Sequence, residues 1–203
     1  MTAMKALRRA VPEELARWLT AYRDDLPRAW RECPSAEWLA HIALRLGVRR
    51  TPLVRATMEL VSGAVGARRP PDLRPNHAIV ITGKWLSGTA RSHDAWAAGF
   101  AAGEAADALE DPLDAAAARA AACLAFSCDD DAEGPFYAHR AYAATAGRHA
   151  AIALGSEDDA ADRLRAALPL TLVLQAYAQS TLPATTAEHR RPPPPLERTP
   201  GPI

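Results

Sequence analysis

At 203 residues the chain suits one domain, and a domain of that size buries roughly 70% of its unfolded-state surface, so no disulfide or metal staple is needed. Apolar residues make up 49%, and 24 Lys and Arg balance 24 Asp and Glu, which gives no general attraction to nucleic acid or to an anionic membrane. No apolar run approaches the roughly 18–20 residues of a membrane span, the N-terminus lacks a signal-peptide core, and Cys33, Cys123 and Cys128 show no metal or redox spacing, so the composition reads as a reduced, soluble, cytoplasmic protein.

Helix signals dominate in chain order. Val11-Pro12 followed by Glu13 and Glu14 opens a helix with acids in its first turn, where the macrodipole favours them. That helix carries Leu15, Trp18, Leu19 and Tyr22 on one side. "CPSAEWLAHIALRLGV" offers Ser35 as N-cap, a stripe of Leu39, Ile42, Ala43 and Leu46, and Gly47 as the residue past the end. Thr51-Pro52 reads as an N-cap with proline at the first helical position. One row of Val54, Met58, Val61 and Val65 follows, with Leu53, Thr57 and Leu60 beside it.

After the proline-rich connection "GARRPPDLRP" comes "DLRPNHAIVITGKWLSG", whose "AIVIT" and "GK" imitate a strand feeding a phosphate loop. That motif needs Gly five residues before the Gly-Lys pair and a hydroxyl directly after the lysine. Here those positions are Ala78 and Trp85. A helix starting with Pro75 at its first position explains more. Ala78, Ile81, Thr82 and Trp85 then share a face, Ile79 and Leu86 adjoin it, and Gly88 ends it.

The remainder is alanine-rich: "SHDAWAAGFAAGEAADALED", a restart at Pro112, then "FYAHRAYAATAGRHAAIALG" up to Gly155. Alanine favours helix and leaves thin cylinders that can approach closely. Ser156 and Asp159 resemble a capping box, the helix beyond ends near Pro169, and "LPLTLVLQAYAQ" reads as a buried final helix. The expected fold is all-α: a single helical domain over residues 1–180, about seven to nine helices packed as antiparallel hairpins or a bundle. Residues 181–203, with a four-proline run and little to bury, read as a disordered or polyproline tail.

No catalytic, cofactor-binding or metal-binding residue emerges from the motifs. "DDDAEG" places Asp129, Asp131, Glu133 and Gly134 as in a calcium loop, but the twelfth position is Arg140 instead of a bidentate Glu, and a solvated acidic turn fits better. The six histidines form no pair at helical ligand spacing, and "SHD" at 92–94 reads as an N-cap by Ser92 or Asp94. Cys123 and Cys128 read as small packing residues. Trp18, Trp30, Trp38, Trp85 and Trp96 lie at helical positions beside apolar neighbours. Trp30, Trp38, Trp85 and Trp96 in particular are candidate packing or protein-interface anchors, since Trp is enriched at binding hot spots.

The order of features also resembles a known family. Trp30, Cys33-Pro34, Trp38-Leu39, Ile42-Ala43 and Gly47-Val48 come first, and "LVRATMELV" follows. Then come Asp72, Arg74-Pro75, Ala78-Ile79, Trp85 and Gly88, the alanine-rich helices, and "AGRHAAIA" at 146–153. Over about residues 30–154 this resembles the alanine-rich, all-helical putative immunity proteins of bacterial polymorphic toxin systems. The resemblance implies a non-enzymatic protein that binds and neutralises a cognate toxin, with a protein partner, no cofactor, and no nucleic acid or membrane. Its oligomeric state stays open. Two other readings stand beside it: a structural or adaptor subunit of a larger bacterial assembly, and an enzyme whose cleft gathers His41, His77 or His139 with acids.

Overall fold

The helix signals become eleven α-helices and one 3-10 turn in the computed structural model of the chain, which describes residues 3–128 and 138–181. They are α1 (Ala3–Ala10), α2 (Glu13–Leu19) running into a 3-10 turn (Thr20–Tyr22), α3 (Leu26–Glu32), α4 (Ala36–Arg45), α5 (Arg50–Arg68) and α6 (Arg74–Leu86). There follow α7 (Ser92–Ala108), α8 (Pro112–Phe126), α9 (Ala138–Leu154), α10 (Glu157–Ala167) and α11 (Leu170–Thr181). The all-α expectation holds, but the helices outnumber the seven to nine expected. The two extra ones are α1 and α3, of 8 and 7 residues. Asp25 caps α3 by accepting the Arg28 backbone N–H at 2.9 Å, with Pro27 in the first turn. Helices this short do not persist on propensity alone, and packing of Leu26, Ala29 and Trp30 into the core holds α3 in place.

Helix α8 lies at the centre. Nine of its fifteen residues are buried, including Ala115 to Ala118 in succession. Four consecutive residues sweep roughly 300° around a helix, so α8 is covered over most of its circumference, and past its first turn only the row of Arg119, Cys123 and Phe126 reaches the surface. It packs against α7 and α9 most extensively, and also against α5 and α6. Helix α9 extends the layer by packing on α4, α5 and α10, and α10 reaches back to α4 and α5. Consecutive helices joined by short connections therefore pack as hairpins around an alanine centre. Leucine, valine and isoleucine of α4 and α5 complete the core: Leu39, Ile42, Leu46, Leu53, Val54, Leu60, Val61 and Val65 are all buried, as their periodicity predicts.

Ion pairs and hydrogen bonds tie distant segments. Arg68, at the end of α5, reaches Asp114 at 2.9 Å and Asp111 at 3.1 Å, bridging to the start of α8. Asp111 also caps α8 by accepting the N–H groups of Leu113 and Asp114, and those backbone bonds hold its carboxyl below the usual carboxylate value. Arg165 of α10 donates to the Cys33 carbonyl at 2.6 Å, fixing the α3–α4 connection. The buried hydroxyls of Thr57 and Thr82 donate to the carbonyls of Leu53 and Ala78, each at 2.9 Å, so neither is left unsatisfied.

Several helix starts differ from the sequence reading. Helix α5 begins at Arg50 with Arg49 in the N-cap position, so Thr51 and Pro52 lie inside the first turn. Pro75 is the second residue of α6, and Asp72 does the capping work by accepting the Arg74 N–H at 2.8 Å while gripping its guanidinium. Ser35 has the expected N-cap position without the side-chain bond. Arg91 precedes α7, and Asp94 accepts its backbone N–H at 2.9 Å, while Ser92 is the first helical residue. Ser156 caps α10 as expected, accepting the Asp159 N–H at 3.1 Å. Gly47 and Gly88 take the left-handed conformation, φ 89° and 74°, that ends α4 and α6. The final helix α11 is only half-buried: Val173 is in the core, while Leu174 and Gln175 face solvent. The acidic segment 129–134 and, beyond Thr181, the proline-rich tail lie outside the described residues. No helix among the described residues is long and apolar enough to cross a membrane.

Close packing gives opposite expectations for two glycines. A Cβ on Gly147 would sit 3.3–3.4 Å from the backbone of Ala36 and Glu37, where α9 meets the start of α4, whereas a Cβ on Gly103 would meet nothing within 4 Å. Gly103→Ala should therefore raise unfolding free energy by about 0.5–1 kcal/mol through helix propensity. Gly147→Ala should lower it by about 1 kcal/mol net, because the backbone must shift. Urea denaturation of both variants checks the signs.

Candidate functional site: aromatic faces on an alanine core

The tryptophans fall into three surroundings. Trp30 is 2% exposed and is the largest fully buried side chain, wedged into the N-terminal core. Trp18 and Trp38 are half-buried partners, with ring centroids 5.6 Å apart, and Tyr22 lies 4.5 Å from Trp18. Arg28 sits 5.6 Å over the Tyr22 ring and pairs with Glu32 at 2.9 Å. Burial first, and then Glu32, pushes the Tyr22 phenol up, while Arg28 holds the Glu32 carboxyl down. Trp85 is half-buried on α6 and packs against the core.

Trp96 belongs to a larger assembly. Its ring lies 5.8 Å from Phe100 and 5.2 Å from Phe126, and Phe100 and Phe126 are 5.1 Å apart. Tyr142 of α9 joins through Phe126 at 5.3 Å. These are the tilted and edge-on arrangements that ring quadrupoles favour. The cluster spans three helices because α7 carries Gly99 where it faces α8: a Cβ there would lie 2.7 Å from the Phe126 ring. Phe100 is 58% exposed, so the cluster presents an aromatic edge to solvent. Leu73 and Val80 before and within α6, and Ile152 on α9, are also exposed. The sequence reading singled out Trp96 but missed Phe100, Phe126 and Tyr142. The Trp96–Phe100 spacing of four residues was the available signal; Phe126 and Tyr142 join only through packing.

The remaining titratable groups show packing, not activation. Burial pushes the Cys33 and Cys123 thiols up to about 11, so both stay protonated at neutral pH and neither is a ready nucleophile. His93 Nε2 lies 3.1 Å from Asp94, whose other oxygen holds the helix start. His41 is half-buried on α4 and His77 is exposed on α6; the side chains of His139 and His189 lie outside the described residues. No group of three or more His, Cys, Asp or Glu able to hold a metal occurs among the described residues.

Among known proteins, the family model described as Imm-5 like putative immunity protein matches residues 54–163, more than half of the chain. The matched stretch contains nearly all of α5, the whole of α6 to α9, and α10 as far as Arg163. No curated protein and no solved structure matches the chain.

Two histidines set an acid-side limit on stability. Burial, helped by Arg45 beside His41 and by Arg148 and Arg119 near His149, pushes both imidazoles below their ordinary value of 6.5. The unfolded chain takes up these protons first, so their contribution to stability is full above about pH 6.5 and is lost as pH falls through that value. Glu37 acts in the opposite sense, since burial raises its carboxyl and the folded state binds its proton first. Replacing His41 and His149 together by Gln should flatten the fall in urea midpoint between about pH 7.5 and pH 5.5. An unchanged slope would mean that other groups carry it.

Proposed function

We propose that this chain, which belongs to the Imm-5 like putative immunity protein family, neutralises a bacterial toxin by binding it in the cytoplasm of the cell that makes both. The family match over residues 54–163 carries this reading. Support comes from the way the matched segment is built. Its interior is largely alanine, which brings helices together but offers no functional group, and burial holds the Cys123 thiol protonated. Inhibition is then stoichiometric and non-enzymatic: the protein covers a surface of the toxin and does no chemistry of its own.

The aromatic edge around Phe100 is the best docking surface in the matched segment. An exposed Phe backed by the rigid rings of Trp96 and Phe126 has the make-up of a binding hot spot: a large apolar area that loses little freedom on binding. Trp96 acts there as a support for Phe100. Trp30 is a packing anchor only, and Trp38 and Trp85 support the core from its margin.

Co-expression with the toxin candidate encoded beside it tests the reading. The neighbouring protein should be lethal alone, harmless in company, and recovered as a stable complex with this chain. Failure to co-purify, or a neighbour harmless by itself, removes the immunity reading and favours an adaptor role. Within the complex, Phe100→Glu should weaken binding by about tenfold or more, near 1.4 kcal/mol. The isolated variant should still unfold cooperatively, with a loss of no more than about 1–1.5 kcal/mol in urea from the ring contacts with Trp96 and Phe126.

A further inference from the structure

Helix α11 turns one face toward an open groove of about 530 Å³. Leu172, Gln175, Ala176 and Gln179 follow one another at helical spacing along that face, and Arg49 and Pro52, at the start of α5, line the groove with them. The lining divides by chemistry. Leu172, Ala176 and Pro52 are apolar, while the polar groups are the Arg49 guanidinium and the Gln175 and Gln179 amides. None of these three polar side chains has a hydrogen-bond or ion-pair partner among the described residues. A guanidinium can only donate, and each Gln amide carries a donating NH2, so the groove offers a set of free N–H groups above an apolar floor.

The helix that forms this wall also leads into the proline-rich end of the chain. It ends at Thr181, two residues after Gln179, and residues 182–203 follow, with Pro192 to Pro195 and then Leu196 and Glu197. Four prolines favour a polyproline II helix, about 12 Å long at 3.1 Å per residue and without internal hydrogen bonds. The wall from Leu172 to Gln179 is of similar length, about 10 Å at 1.5 Å per residue. Proline has no N–H, so such a run presents carbonyl acceptors without donors, the complement of the groove's free N–H groups. The ten residues from 182 to 191 reach roughly 33 Å when extended, enough to turn back along α11. Groove and tail both lie outside the family-matched stretch 54–163, so neither belongs to the shared core.

We propose that the chain docks its own segment 192–197 in this groove, with the prolines along the face of α11, Leu196 on the apolar floor and the Glu197 carboxylate on Arg49. A guanidinium pairs well with a carboxylate. The prolines, already restricted in φ, lose little freedom on docking. Tethering supplies the rest. A short flexible linker holds its segment at about millimolar effective concentration, so an intrinsic Kd of about 100 μM leaves the groove filled roughly ten times out of eleven. A partner's segment must displace this occupant before it can bind there. The site is separate from the aromatic edge and holds whether or not the partner is a toxin.

Competition in the full-length protein tests the proposal. The tail variant combines Pro193→Ser, Pro194→Ser, Leu196→Ser and Glu197→Ser, and the probe is a fluorescein-labelled peptide of residues 190–199. Fluorescence anisotropy should show saturable binding to the tail variant and binding about tenfold weaker to the parent chain, whose own tail competes. Adding Arg49→Glu to the tail variant should weaken the peptide by about tenfold or more, and a peptide carrying Glu197→Arg should recover part of that loss. Circular dichroism checks that every variant folds; a Glu just before α5 suits the helix dipole. The proposal falls if the peptide fails to bind the tail variant, if parent and tail variant bind it equally, or if Arg49→Glu changes nothing. A dimer of the parent that the tail variant loses would also overturn it, since the tail would then sit on a second copy.

Discussion

The close approach of helices around α8 is the constraint on which the rest of the molecule depends. A helix buried over most of its circumference has little room for polar groups, and if its neighbours are to reach its backbone its side chains must be short. Alanine satisfies both requirements. It loses no rotamer freedom on burial, and each buried methyl contributes roughly 0.8 kcal/mol. The individual contribution is small, so stability comes from the number of contacts and from the tightness of the fit. The same tightness appears at Gly147, where α9 meets the backbone of α4, and at Gly99, where α7 receives the Phe126 ring.

A centre made of alanine displaces the large side chains outward. Leucines and Trp30 fill the N-terminal core, where helices are shorter and meet less regularly. The other aromatic rings gather at the margins: Trp18, Tyr22 and Trp38 beside α4, and Trp96, Phe100, Phe126 and Tyr142 over the α7–α8–α9 hairpins. Ridges of thin helices leave little room for a deep cleft, and what can recognise a partner is therefore surface relief. The aromatic relief over α7, α8 and α9 lies within the stretch matched to the family to which the chain belongs.

Charge follows the same division. Helix α5, about 27 Å from end to end at 1.5 Å per residue, links two opposite poles. Its first turn holds Arg50, and its last turn sends Arg68 into Asp111 and Asp114 at the α7–α8 corner, where Glu104, Asp107 and Glu110 also cluster in sequence. A neutral total thus coexists with charge segregated along the sequence, basic before residue 70 and acidic from 70 to 181.

Sequence by itself determined the all-helical class, most of the helices, and the buried rows of α4 and α5, because apolar spacing near 3.6 residues and glycine stops are local properties. It also removed the phosphate-loop reading of residues 72–88, since the missing glycine and hydroxyl are visible in one dimension. The first residues of α5 and α6 escaped it: α5 starts at Arg50 with no side-chain bond from its N-cap, and α6 is capped from Asp72, one residue before its N-cap. So did α1 and α3, which are too short to hold their shape without a core to pack against. Only the tertiary structure decided which aromatics meet, because Phe126 and Tyr142 reach Trp96 across three helices. It alone placed Arg49, just before α5, across a groove from α11, more than a hundred residues away in sequence. Local spacing fixes which face of a helix is apolar, whereas the partner that covers that face is chosen by how whole helices fit together.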